Sequence, residues 1–240
     1  MSIDFISDLH LDKTRPEVNK YFIKYLLNLN KGITDLYILG DLFEYWVGDD
    51  DPMDGLDDIR SCITKLGEKV NIWYMHGNRD FLISEKICNI LKMKLLIDPS
   101  IIDVDGARIL LVHGDTLCTD DIAYQKFRGL VRSEKWQSEM LAKPLQERLL
   151  IADSLRKKSI EANQGKEDNI MDVNVSEVEK LIRVHSPDVI IHGHTHRPNI
   201  HIHEIDQQKV MRYVLGDWYD KFFILSLKNK RFSVCKGKLK

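Results

Sequence analysis

A chain of 240 residues with a formal charge of −2 is long enough for one large domain and too evenly charged for a general nucleic-acid role. Its four cysteines, Cys62, Cys88, Cys118 and Cys235, form no Cys-x-x-Cys pair, which argues against a disulfide framework and for reduced thiols in a cytosolic protein. Acid residues arrive at Asp4 and Asp8 with no basic-then-apolar leader, and no apolar run approaches the ~20 residues that span a bilayer, so neither a signal peptide nor a transmembrane helix is expected.

Taken in order, Ile3 to Ile6 reads as a short buried strand that stops at Ser7-Asp8-Leu9-His10. Tyr21, Phe22, Tyr25, Leu26 and Leu29 recur at helical spacing. Leu36 to Leu39 is a second strand, ending in Gly40-Asp41, and Leu56 to Leu66 a second helix. Val70 to Met75 is a third strand, ending in His76-Gly77-Asn78-Arg79-Asp80. Ser84 reads as the N-cap of a helix through Leu91, with Glu85 well placed in its first turn. Ile109 to Val112 is a strand ending in His113-Gly114-Asp115. Val189 to Ile191 is another, and it opens into Gly193-His194-Thr195-His196 before Arg197-Pro198. Asp8 and His10, like His194 and His196, stand two apart, so in extended backbone each pair faces one way. Strands then follow at Ile200 to Ile205, Val210 to Leu215, Phe222 to Leu227 and Phe232 to Cys235. Four strands without helices predict a second, antiparallel sheet packed on the first.

Residues 120–169 break the alternation. Phe127, Leu130, Trp136, Met140, Leu141, Leu145, Leu149 and Ile151 are loosely helical in spacing, which predicts a few helices inserted as a cap. From Ile122 to Lys166 there are ten Lys and Arg against five Asp and Glu, a net +5 inside a chain of −2. Such a bias is usually a solvated face. Following a metal-site loop, it also suits an anionic ligand with an apolar part. We expect one domain, 1–240, with the cap at 120–169, in an α/β fold of two mixed sheets flanked by helices.

Five apolar strands each end in a polar residue able to bind a metal ion. Collected, these are Asp8, His10, Asp41, Asn78, His113, His194 and His196. Seven ligands are too many for one ion but suit two, ~3.5–4 Å apart and joined by a shared carboxylate and a bridging hydroxide. Asp41 is the natural bridge. Asp8, His10, Asp41 and His196 are assigned to one ion; Asp41, Asn78, His113 and His194 to the other. Nitrogen and oxygen donors without thiolate fit two Mn²⁺ per chain best and leave Zn²⁺ or Fe²⁺ open. The filled site keeps about one positive charge and Arg79 adds another, which suits a phosphate ester or pyrophosphate. Asp41, Asn78, Arg79 and His194 are the catalytic candidates. His201 and His203 are expected on the solvent face of their strand, His192 behind the ligands, and Asp217 in a structural role. The acidic residues from Asp49 to Asp58 lack EF-hand spacing and read as a solvated loop.

Asp8-Leu9-His10, Gly40-Asp41, Gly77-Asn78-Arg79-Asp80, His113 and Gly193-His194-Thr195-His196 resemble, in order, the five signature blocks of the calcineurin-like metallophosphoesterases. Many members carry His-Glu after Gly-Asn where this chain has Arg79-Asp80. An arginine stays charged and cannot protonate a poor leaving group, which favours a pyrophosphate. Gly77 to Phe81, Gly40 to Glu44, His113 to Asp121 and Val214 to Trp218 are together similar to the branch of the family that acts on UDP-2,3-diacylglucosamine in lipid A biosynthesis. That resemblance implies cleavage at the α-phosphate, giving UMP and 2,3-diacylglucosamine 1-phosphate, on the cytoplasmic face of the inner membrane. It implies a peripheral protein, read here as a monomer, whose cap holds the acyl chains. Asn78, Arg79, Asp121, Ser159, Asn163, Lys166 and His194 would contact substrate; Ser159, Asn163 and Lys166 share one helix face by their spacing. A general phosphodiesterase or nucleotide phosphatase of the same superfamily is the alternative.

Overall fold

The structure is a computed structural model and describes residues 2–29, 32–163 and 170–239, with Asn163 described by its backbone alone. In chain order the elements are β1 Ser2–Ile6, α1 Pro16–Asn28, β2 Asp35–Leu39, α2 Asp57–Gly67, β3 Asn71–Met75, α3 Glu85–Ile90, β4 Met93–Leu96, β5 Ser100–Val104 and β6 Ala107–Leu111. There follow a 3-10 turn at Asp115–Leu117, then α4 Ile122–Val131, α5 Glu134–Leu141, α6 Leu145–Asn163, α7 Val175–His185, β7 Val189–His192, β8 Asn199–Ile205, β9 Gln208–Val214, β10 Lys221–Lys228 and β11 Arg231–Lys238.

The strands make two mixed sheets, one ordered β11-β10-β1-β2-β3-β4 and the other β5-β6-β7-β9-β8. β1 to β4 run parallel, as do β6, β7 and β9. Parallel strands buried on both faces read as unbroken apolar runs, which is why β2 is buried at all five positions. Phe5, Leu39, Met75, Leu111, Ile191 and Leu225 fill the space between the sheets. α1, α2 and α3 cover the outer face of the first sheet with Phe22, Ile63 and Ile87, while Val178 and Ile182 of α7 cover the second. The predicted N-cap forms where expected: Ser84 Oγ accepts from Lys86 N at 3.0 Å.

The last four strands do not form one sheet. β8 and β9 extend the second sheet, whereas the β10–β11 hairpin lies antiparallel on β1, with Ile3 opposite Leu227. Trp218 causes the switch. It is fully buried beneath the first sheet, its ring against Tyr21, Phe22, Tyr25 and Phe222, so the chain crosses over between β9 and β10. β4, β5 and α7 were not anticipated from the sequence. β5 lies at a sheet edge and buries only Val104, so it carries little apolar periodicity.

The topology points the C-terminal ends of β1, β2, β3, β6 and β7 at one place, the crevice in which an open parallel sheet presents its loops.

Candidate metal centre

All seven predicted ligands meet in that crevice. Ligand atoms of Asp8, His10 and His196 lie within 4.8 Å of one another, as do those of Asp8, Asp41 and His113. The Nε2 atoms of His10 and His196 face each other at 3.4 Å. Two donors ~2.1 Å from one ion stand about 3.0 to 3.4 Å apart, so this pair is spaced as ligands of a single ion. Asp41 lies between the groups: Oδ2 is 3.8 Å from His10 Nε2, and Oδ1 is 4.0 Å from His113 Nε2. Asn78 Oδ1 is 3.1 Å from His113 Nε2 and 2.8 Å from His194 Nδ1. Asp8 is near enough to serve either group, which the sequence reading did not foresee.

The far nitrogens of the rings test the fit. A metal-bound imidazole turns its other nitrogen to a carboxylate or carbonyl, which fixes the ring. Here His113 Nδ1 is 2.8 Å from the Leu39 carbonyl, His10 Nδ1 is 3.4 Å from Glu44 Oε2, and His196 Nδ1 is 3.5 Å from Asp217 Oδ2. Three rings thus aim Nε2 inward and are backed from behind, and the donor set suits a hard or borderline divalent ion. Glu44 and Asp217 are the members that sequence reasoning passed over. The signal for Asp217 is local, because Gly216-Asp217 repeats the Gly40-Asp41 pattern.

The backbone delivers these residues differently from the extended pairs expected. Asp8, His10, Asp41, His194 and His196 all have positive φ, between 52° and 67°. Left-handed backbone costs a non-glycine residue roughly 1–3 kcal/mol and persists where surroundings enforce it. Asp8 N donates to the Gly40 carbonyl at 3.1 Å, His10 N to that of Asp41 at 3.0 Å, and Trp218 N to that of Asp8 at 3.0 Å. Arg15 donates to the carbonyls of His10 and Trp218, each at 2.9 Å. Asp80 is fully buried and joins two loops, accepting from Gly77 N at 2.9 Å and Leu42 N at 2.7 Å. A Cβ on Gly40 would lie 2.4 Å from His113 Nδ1, and one on Gly193 would lie 2.3 Å from an Asp8 oxygen. The loops close only because both are glycine.

Burial and charge compete in this pocket. For Asp8 burial is outweighed by His196, His113 and His10, and the carboxyl is held well below its usual range. For Asp41 burial wins and raises it. His113 is also penalised by burial, but Asp41, Asp115 and Asp8 push it up to about 9. Burial, then the His113 charge, lowers His194 to about 3, so that ring is neutral. Burial and the Arg212 charge lower His192 to about 4.

A cavity of about 510 Å³ joins this centre to the helices that follow β6. Asn78, Arg79, Asp121, Ser159 and His194 line it. The Arg79 N–H donates to Asp41 Oδ1 at 2.8 Å. Asp121 also caps α4, accepting from Tyr124 N at 3.1 Å. Asn163 ends α6, and Lys166 lies outside the described residues. Contacts that fasten the inserted helices to the loops include Arg128 Nε to Asp115 Oδ2 at 2.6 Å, Arg132 to the Gly77 carbonyl at 2.7 Å, and Arg156 Nε to Glu44 Oε1 at 2.9 Å.

Two peripheral expectations need correction. His201 and His203 are half-buried on the face that carries Arg212, the side on which Ile205 packs against α7, while Ile200 and Ile202 are exposed on the other face of this edge strand. The acidic loop is only partly solvated, since Asp50 pairs with the buried Arg148 and Asp49 with Ser84.

The profile of the calcineurin-like phosphoesterases matches residues 1–198. Proteins named UDP-2,3-diacylglucosamine hydrolase are similar over nearly the whole chain. That of Aromatoleum aromaticum is 45% identical, covering 92% of this chain and 90% of its own. Those of Marinobacter nauticus, at 44%, and Stenotrophomonas maltophilia, at 42%, cover 91% and 94% of this chain and 90% and 94% of theirs. Among solved structures, an archaeal phosphodiesterase superposes with a TM-score of 0.51 at 16% identity, covering 98% of this chain and 99% of its own, a likeness of fold alone.

Proposed function

The chain belongs to the calcineurin-like phosphoesterase family, and from that premise we propose that it hydrolyses the pyrophosphate of UDP-2,3-diacylglucosamine at the α-phosphate. The products are UMP and 2,3-diacylglucosamine 1-phosphate, an intermediate of lipid A biosynthesis. The observation that carries this reading is one continuous cavity. Its lining joins His10, Asp41, Asn78 and His194 of the metal centre to Phe127, Val131, Trp136, Met140 and Leu155 of the inserted helices. A nucleotide sugar with acyl chains has that same division. In this reading 120–169 is a cap on one 1–240 domain, and its apolar lining takes the chains.

Asp8, His10, Asp41 and His196 would hold one divalent ion and Asp41, Asn78, His113 and His194 the other, with Mn²⁺ the best match to the donors. When bound, such ions lower the pKa of water and neutralise charge on the phosphoryl oxygens. The chain's own groups do the rest. A hydroxide, formed when water gives its proton to solvent, bonds through its oxygen to the α-phosphorus as the bond to the bridging oxygen breaks. Arg79 and the Asn78 amide orient the phosphates and stabilise the charge that develops. The sugar phosphate leaves as an oxyanion, so no proton donor is needed, in keeping with an arginine at position 79. Asp121, Ser159, Asn163 and Lys166 would position the sugar.

No helix among the described residues is long and apolar enough to cross a membrane. Ile122, Leu130, Leu150 and Ile160 are exposed on α4 and α6, in a segment rich in lysine and arginine. That pairing supports peripheral docking of a monomer on the anionic cytoplasmic face of an inner membrane. UMP release from UDP-2,3-diacylglucosamine with Mn²⁺, and its loss with EDTA, tests the function. Absence of Mn²⁺-dependent UMP would refute it. Equal turnover of bis(p-nitrophenyl) phosphate or cyclic nucleotides would favour a general phosphodiesterase.

A further inference from the structure

Arg212 stands apart from the proposed ligands, on β9, yet it is 96% buried, with a relative exposure of 4%. A buried guanidinium is costly unless its hydrogens are used. Its hydrogen-bond partners are not carboxylates but imidazoles: Nη1 lies 2.9 Å from His192 Nε2, and Nε lies 3.1 Å from His203 Nε2. Arginine can only donate, so both Nε2 atoms accept, and both rings are neutral with the proton on Nδ1. For His192 that proton points at the Gly193 carbonyl, 2.9 Å away.

The peptide so gripped is the one between Gly193 and His194. Its carbonyl also accepts from Thr195 N at 2.8 Å, and its N–H, on His194, donates to Asp8 Oδ2 at 2.9 Å. His194 has a φ of 67°, a conformation it would leave if unsupported. We propose that Arg212 is a positioning residue: acting through the His192 ring, it fixes the Gly193–His194 peptide so that Asp8, His194 and His196 converge on the ion site. The chain of contacts runs guanidinium, imidazole, carbonyl, peptide N–H, carboxylate, and each of its three hydrogen bonds is 2.9 Å long. A lysine could not replace it, because one ammonium cannot serve both rings in the planar fork. The proposal rests on the reading that Asp8, His194 and His196 hold a divalent ion.

Its test uses the full chain stripped with EDTA and titrated calorimetrically with Mn²⁺ alone. Partners behind metal ligands typically change affinity by roughly tenfold to a hundredfold. Arg212→Met and His192→Phe are each expected to weaken Mn²⁺ binding within that range. Together they should be no worse than either alone, because they cut the same chain. Long-range ¹⁵N spectra of His192 should show an Nδ1–H tautomer in the native protein and an Nε2–H population in Arg212→Met. Arg212→Lys tests the fork and serves if the methionine variant fails to fold. Wild-type affinity in folded Arg212 variants, additive losses in the double variant, or an Nε2–H His192 in the native protein would overturn the inference. Failure of the native protein to bind Mn²⁺ would instead remove the reading beneath it, while the tautomer measurement would still judge the contact.

Discussion

Asp41→Asn separates a ligand's role from its cost to the fold. Asp41 is 2% exposed, and its ligand oxygen lies within 4.8 Å of that of Asp8. At an effective dielectric of ~20, two carboxylates at that distance repel by about 3 kcal/mol. Protonated His113, at 4.0 Å, returns about 4 kcal/mol on the same scale. The pair energies nearly cancel, so desolvation decides the sign. Asp41 is raised above its ordinary range, burial being the first cause. A carboxyl raised on folding is destabilising when ionised, at every pH above its folded value. Asparagine removes the charge, still accepts the Arg79 N–H, and tolerates a φ of 53°. Without metal the variant is therefore expected to be more stable than the native chain, by about 1 to 3 kcal/mol. For a chain of this size that is at least about 2 °C in Tm. With Mn²⁺ at ~100 times its Kd the order reverses. The native protein gains about 2.7 kcal/mol per site, and the variant most of it fails to gain. Thermal melts in EDTA and in Mn²⁺, with UMP release alongside, measure both effects, and activity is expected to fall at least ~10³-fold. A variant less stable than native in EDTA, or one with the full Mn²⁺ gain, would refute the reasoning.

Arg79→Ala is expected to lower kcat by ~10²-fold or more while leaving calorimetric Mn²⁺ affinity unchanged; loss of bound metal would make Arg79 structural. Because metal-free His113 is pushed up to about 9, it is protonated at pH 7 and must lose that proton to bind an ion. Mn²⁺ affinity should therefore tighten from pH 6 to pH 9, and titrations in buffers of different ionisation enthalpy should show about one proton released. Cys88 and Cys118 are buried thiols raised to about 12, while Cys235 is exposed. A thiol reagent at pH 8 should label Cys235 and spare Cys88 and Cys118 until the chain unfolds. Trp218→Ala should cost about 3–5 kcal/mol by chemical denaturation, since the ring is fully buried among four aromatic neighbours.

The strand ends were legible because an apolar run closed by glycine and a hard ligand is a local pattern, and five repeats of it leave few alternatives. What joined them was visible only in three dimensions. Glu44, Asp80 and Arg212 look ordinary in sequence, since their partners His10, Phe43 and His192 lie 34, 37 and 20 residues away and are reached only after folding. The β10–β11 hairpin was misplaced because pairing of sequential strands is the usual rule, and nothing local announces that Trp218 carries the chain to the other sheet. On β8 the alternation was read correctly and its orientation wrongly. A period of two says which residues share a face but not which face is covered.

The left-handed turns at Asp8, His10, Asp41, His194 and His196 have one more consequence. Their shape is enforced by hydrogen bonds within the chain rather than by any ion, so chelation should empty the pocket without letting it go slack. Demetallation is then reversible on the timescale of ion encounter, with no refolding phase. Selection at these five places also acts twice. A valine or threonine would be punished for its branched Cβ before its missing donor atom mattered at all.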